Sequence, residues 1–153
     1  MKKSILSIFF VVFCTVYAAE DFYTGPVKKF IKTGWDDPTP EYLAKNLAII
    51  ENALPHSGIA IQLDIILDDS GKVILPNYTM FSSRKWKKEW FASQIKALKT
   101  IKTTRLTDNF LTTCFLPGDR DFDLYNDQFW SGVCHNFKII AEITRECGLK
   151  GII

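Results

Sequence analysis

Between Val27 and Leu54 the chain reads V-K-K-F-I-K-T-G-W-D-D-P-T-P-E-Y-L-A-K-N-L-A-I-I-E-N-A-L, and this stretch restricts the architecture more than any other. Val27, Phe30 and Ile31 form a short β-prone run that Gly34 stops. Trp35, Asp36 and Asp37 follow, so an aromatic ring and two carboxylates stand at the carboxyl end of the predicted strand. A helix then begins. Thr39 is a good N-cap, Pro40 suits the first helical position because its φ is preset and it has no N–H to satisfy, and Glu41 favours the positive end of the helix dipole. Leu43, Leu47, Ile50 and Leu54 make one apolar stripe at helical spacing, and Pro55 and Gly58 end the unit.

The remainder repeats this plan. Ile59 to about Leu67 is a β-branched run with Asp64 toward its far end, and Asp68-Asp69-Ser70-Gly71 is a turn before a short return strand over Lys72 to Leu75. Ser82 or Ser83 caps the next predicted helix, which contains Trp90, Phe91, Ile95, Leu98 and Ile101. A third strand is expected over Thr104 to Leu111, ending in Asp108, Asn109 and Phe110. A polar loop with Pro117 and Gly118 leads to a helix starting at Asn126 or Asp127. Trp130, Val133, Cys134, Phe137, Ile140, Ala141 and Thr144 are its expected inner face, and Gly148 sits where a C-cap glycine belongs. Leu149 to Ile153 reads as a fourth strand.

Strands alternating with amphipathic helices predict an α/β fold with a parallel sheet and right-handed crossovers. Three and a half such units match the amino-terminal half of a (β/α)8 TIM barrel of about 250 residues. A buried parallel strand that stops at Gly151-Ile152-Ile153 reads as the end of a truncated chain. A doubly wound sheet competes, but G-W-D-D-P is not the glycine-rich phosphate loop such folds commonly use.

Lys2 and Lys3, the apolar run from Ile5 to Val16 and the small or tolerated residues Val16-Tyr17-Ala18 at the expected cleavage positions have the pattern of a secretory signal peptide. Residues 1–18 are therefore expected to be removed, leaving 19–153 as one domain in a secreted or periplasmic protein, with no membrane association after cleavage. Removing two of the 19 basic residues leaves 17 against 17 acidic ones. A neutral chain lacks the basic footprint that nucleic acid requires. Of the four cysteines, Cys114, Cys134 and Cys147 remain, an odd number that forms no closed disulfide framework: either one thiol is left over or, the reading preferred, all three are buried apolar side chains.

In a βα architecture the site gathers at the carboxyl ends of the strands, so Trp35, Asp36, Asp37, Asp64, Asp108 and Asn109 are expected on one rim. Carboxylates and an amide beside an exposed indole suit sugars, whose hydroxyls pair with the acids and amides while the ring's C–H face stacks on tryptophan. Each residue also has a plain structural reading: Asp36 and Asp37 can cap or turn before Pro38, and Asp108 and Asn109 can tie down a loop. Asp119, Asp121 and Asp123 imitate a calcium loop, but Leu124 and Trp130 stand where glycine and glutamate belong, so no metal is expected. Cys134 and His135 are neighbours on a helix and point apart. Arg84 to Trp90 interleaves bases with tryptophan, and is read as an exposed helix start with Trp90 turned inward. No nucleotide or cofactor motif occurs, and no catalytic residue is assigned.

The order of G-W-D-D-P-T-P-E-Y-L at Gly34 to Leu43, R-L-T-D-N-F-L at Arg105 to Leu111 with P-G-D at Pro117 to Asp119, and the closing C-G-L-K-G-I-I resembles secreted bacterial proteins of glycoside-hydrolase-like TIM-barrel type. The resemblance covers nearly all of the chain after residue 18. It implies a carbohydrate ligand, with Trp35, Asp36, Asp108 and Asn109 facing the sugar. In such proteins strand four runs into an acidic segment, and many retaining barrel glycosidases keep their acid/base at that strand's end; this chain stops before it. The expected function is a fragment of an exported carbohydrate-active barrel, inactive alone and self-associating through open sheet edges. The alternative is a non-catalytic secreted carbohydrate-binding or interaction domain.

Overall fold

The computed structural model describes residues 28–53, 55–114 and 123–153. Four parallel strands form its sheet in the order β1 (Ile31–Lys32), β2 (Gly58–Gln62), β5 (Phe110–Thr112) and β6 (Gly151–Ile152), which is also their order along the chain. Their register aligns Ile31 with Gly58, Ala60 with Phe110 and Gly151, and Ile61 with Leu111 and Ile152. Between β2 and β5 the chain makes an antiparallel hairpin of β3 (Ile66–Leu67) and β4 (Val73–Ile74). The expected mixed α/β class with a parallel sheet is what forms. The expected signal segment and the Pro117 to Asp119 loop lie outside the described residues.

Helix α1 (Pro40–Ala53) starts as its sequence directs. Thr39 Oγ1 accepts the Tyr42 N–H at 3.3 Å, and the first helical bond runs from Leu43 N to Thr39 O at 2.9 Å. Leu43 is fully buried, while Leu47 and Ile50 pack half-buried against the same core. The hairpin turn is fixed by Asp68, whose Oδ1 accepts the N–H groups of Ser70 and Lys72 at 2.9 and 2.8 Å, with Gly71 at φ +78° closing it.

The strand expected from Ile59 to Leu67 is therefore broken in two. Asp64 leaves the sheet because Gln94 takes both its backbone groups, Nε2 donating to Asp64 O at 3.1 Å and Oε1 accepting from Asp64 N at 2.8 Å.

The next helix also starts later than expected. A short helix α2 (Pro76–Thr79) is followed by an irregular segment, a 3₁₀ turn at Lys88–Phe91 and α3 (Ala92–Thr100). Ser82 caps nothing; its hydroxyl donates to Thr79 O at 2.9 Å. In this segment Trp86 is the buried tryptophan at 1% exposure, while Trp90 packs half-buried against the same core. The Trp86 backbone N–H is held by Asn136 Oδ1 at 3.0 Å, which keeps the segment out of helical hydrogen bonding.

Helix α4 (Asp127–Glu146) begins at Asn126, whose side chain accepts from Gln128 and Phe129. It ends in a Schellman motif: Leu149 N donates to Thr144 O, Gly148 N donates to Arg145 O, and Gly148 has φ +69°. Its buried face is Phe129, Gly132, Val133, Asn136, Ile139, Ile140, Ile143 and Thr144, rotated from the face expected. Trp130, Cys134 and Ala141 are exposed instead. Two residues that read as outward explain the rotation. Gly132 lets the Ser82–Ser83 backbone lie against the helix, where any Cβ would collide with it. Asn136 spans the packed segments, its Nδ2 donating to Met80 O and Arg84 O at 3.2 and 2.9 Å.

Leu43 of α1, Leu98 of α3 and Ile140 and Ile143 of α4 join Ile59, Ile61 and Leu111 in one apolar cluster. Helices α1, α3 and α4 thus cover one sheet face. The opposite face, by register, carries Ile31, Gly58, Ala60, Phe110 and Gly151, and ends at Gln62 and Thr112.

Candidate functional site

Because β1, β2 and β5 run the same way, their carboxyl ends open on one edge of the sheet. Thr33, Gly34 and Trp35 follow β1, Gln62 closes β2, and Thr112, Thr113 and Cys114 close β5; with Asn77 and Tyr78 of α2 they line a cleft of about 230 Å³. Trp35 is 83% exposed and Tyr78 39%, so both rings present open faces. Among the described residues the other polar side chains of the lining are uncharged amides, hydroxyls and a thiol. Cys114 N donates to Asn77 O at 3.2 Å, which ties α2 to the end of β5, and Gln62 N donates to Pro38 O at 3.1 Å, which ties β2 to the turn after β1.

The six residues expected on one rim divide between the two ends of the sheet. Trp35 alone lines the cleft. Asp36 and Asp37 stand beside it as an ion-paired turn: Lys32 Nζ donates to Asp36 Oδ1 at 2.8 Å and to Asp37 Oδ1 at 3.3 Å, and Thr33 Oγ1 donates to Asp37 Oδ2 at 3.3 Å. The Lys32 ammonium beside it holds the exposed Asp36 carboxyl below its ordinary value. Burial pushes Asp37 up in spite of Lys32, as a general acid requires, but at 2% exposure Asp37 presents no surface to the cleft. Asp64 lies past the end of β2, where its Oδ1 accepts the Ile65 N–H at 2.7 Å, and does not line the cleft.

Asp108 and Asn109 precede β5, so they sit at the amino edge, opposite the cleft. The Asp108 carboxylate accepts Lys29 Nζ at 2.8 Å and Thr107 Oγ1 at 2.8 Å, and the Lys29 ammonium lowers its pKa. Asn109 is consumed within the fold: Oδ1 accepts the Ile59 N–H at 3.1 Å and Nδ2 donates to Leu106 O at 2.7 Å. The expected third strand placed both residues at its far end, but the run starts late. Glu51 Oε1 collects the N–H groups of Thr104, Arg105 and Leu106 at 2.7, 3.0 and 3.3 Å, and donors bound to a carboxylate do not join a sheet ladder.

Gln62, Asn77, Tyr78 and Thr112 were not singled out from sequence. No local signal marks Gln62, which stands inside the Ile59 to Leu67 run, and Thr112 follows the Phe110-Leu111 pair; both qualify only because the strands end there, where a βα fold keeps its site. Cys134 is exposed rather than buried, and Cys114 and Cys147 are half-buried free thiols. Among the described residues no cluster of His, Cys, Asp or Glu could hold a metal ion, and no described helix is long and apolar enough to cross a membrane. The arrangement can stack and hydrogen-bond an uncharged ligand, and among the described residues no carboxylate lines it. No family model matches the chain, and neither a curated protein nor a solved structure matches it.

Proposed function

We propose that the cleft at the carboxyl edge binds an uncharged carbohydrate, and that the chain is the amino-terminal part of an exported glycoside-hydrolase-like barrel to which it contributes binding and not a complete acid pair. The observation that carries this reading is the lining itself: an indole 83% exposed and a tyrosine ring together with neutral amides and hydroxyls. Sugar rings offer C–H faces to aromatic rings and hydroxyls to amides, so this combination fits them better than it fits an anion or a hydrocarbon. Sequential parallel strands with the long helices α1, α3 and α4 on one face support the barrel winding, since a doubly wound sheet would reverse its order and spread such helices over both faces. The basic start and apolar run before Ala19 support export.

Glycoside hydrolysis needs two carboxyl groups flanking one bond. Among the described residues no carboxylate lines the cleft, and this favours the second reading, a non-catalytic carbohydrate-binding domain, for the chain acting alone. Titration of intrinsic tryptophan fluorescence with a panel of neutral oligosaccharides tests binding, and chromogenic glycosides test hydrolysis. Saturable binding without hydrolysis supports the proposal. An absence of binding in the wild-type chain overturns it.

A further inference from the structure

Gln62 and Asn77 stand side by side in the cleft, with Asn77 Nδ2 donating to Gln62 Oε1 at 3.1 Å. This bond fixes the two amides against each other and uses one donor and one acceptor. Gln62 Nε2 and Asn77 Oδ1 have no protein partner among the described residues, so the pair offers a donor and an acceptor to whatever occupies the cleft. Backbone bonds from Gln62 N to Pro38 O and from Cys114 N to Asn77 O hold both residues in place, so little ordering is needed on binding.

A donor beside an acceptor complements two adjacent hydroxyls, one accepting from Gln62 Nε2 and the other donating to Asn77 Oδ1. Ring hydroxyls project from the edge of a pyranose while its C–H faces lie above and below, so a ring stacked on Trp35 or Tyr78 presents such a diol to the amides. The volume of about 230 Å³ is smaller than a drug-sized pocket of roughly 300 Å³ or more, so the cleft reads about one ring of a longer chain.

Resting on the carbohydrate reading, we propose that Gln62 and Asn77 read the 2,3-diol of an internal sugar, and so select neutral 1→4-linked glycans. A 1→3 linkage blocks one of those hydroxyls in every internal ring, and a 2-acetamido sugar replaces the other.

Isothermal calorimetry of the full chain with cellotetraose, xylotetraose, mannotetraose and maltotetraose, against laminaritetraose and tetraacetylchitotetraose, tests this. At least one of the first four is expected to bind about tenfold tighter than either of the last two, since a site hydroxyl partner left unpaired weakens binding by that order. Gln62→Met is expected to bring that ratio close to one. Gln62→Glu keeps the side chain's shape and its acceptor for Asn77 while removing the outward donor, and is expected to do the same if Gln62→Met melts early. Laminaritetraose binding as tightly as the best 1→4 glycan, or a preference that survives both variants, overturns the inference while leaving the carbohydrate reading intact. Binding of none of the six overturns both.

Discussion

Glu51, at 9% exposure on the last turn of α1, shows how one side chain redirects a distant stretch of backbone. Thr104 to Leu111 has the composition of a strand, and no local pattern reveals that its first donors are taken by a carboxylate more than fifty positions earlier. That long-range bond moved Asp108 and Asn109 to the wrong end of the sheet for the expected rim. The Thr39 cap and the Gly148 terminus were legible because their partners lie within one helical turn. Burial pushes the Glu51 carboxyl upward, but the N–H groups of Arg105, Thr104 and Leu106 outweigh it and hold the pKa below the ordinary 4.5. A depressed folded pKa stabilises the protein above the unfolded value and loses that stabilisation as pH falls through the folded value. Thermal melts between pH 7 and 3 are therefore expected to show Glu51→Gln less stable than wild type at neutral pH, with the two curves converging in acid. A constant difference at every pH would show that the carboxylate charge is not what the loop uses.

Among the elements, α4 exposes the limit of pattern reading most clearly. Its ends follow from Asn126 and Gly148, and Val133, Ile140 and Thr144 of the expected face are buried, but Trp130, Cys134 and Ala141 are exposed, because periodicity counts apolar residues and the true inner face also contains a glycine and an asparagine. Asn136 is fully buried and bonded to Trp86, Met80 and Arg84, so a polar residue organises the packing there. Gly132 separates two opposing effects. Alanine raises intrinsic helix propensity by about 1 kcal/mol over glycine, yet its methyl group would meet the Ser82 and Ser83 backbone, which cannot rotate away. The packing term is larger here, and Gly132→Ala is expected to lower the free energy of unfolding by about 1–3 kcal/mol in urea titration. A stabilised variant would mean that the segment docks less tightly on α4 than described.

For the whole molecule, the parallel order of the sheet was legible because each strand precedes a helix of the right period and no hairpin-length connection joins successive sheet strands. The site was legible only where chain order and sheet geometry coincide, at Trp35; Gln62, Asn77 and Thr112 become neighbours only once β2, α2 and β5 assemble. Within the described residues β1 and β6 each pair on one side, leaving strand edges that other chains can join. Size-exclusion chromatography of the chain from residue 19 is expected to show concentration-dependent self-association, and a monomer at every concentration would argue that both edges are covered.

The central claim is that ligand binds at the carboxyl edge through Trp35 and not at the amino edge beside Asp108. Paired binding titrations of Trp35→Ala and Asp108→Asn, with the best neutral oligosaccharide, test it most directly. The account predicts that Trp35→Ala loses most of its affinity with an unchanged melting temperature, because the ring is mostly solvent-exposed, while Asp108→Asn binds as wild type even if it melts earlier. Wild-type affinity in Trp35→Ala together with lost affinity in a folded Asp108→Asn would contradict it.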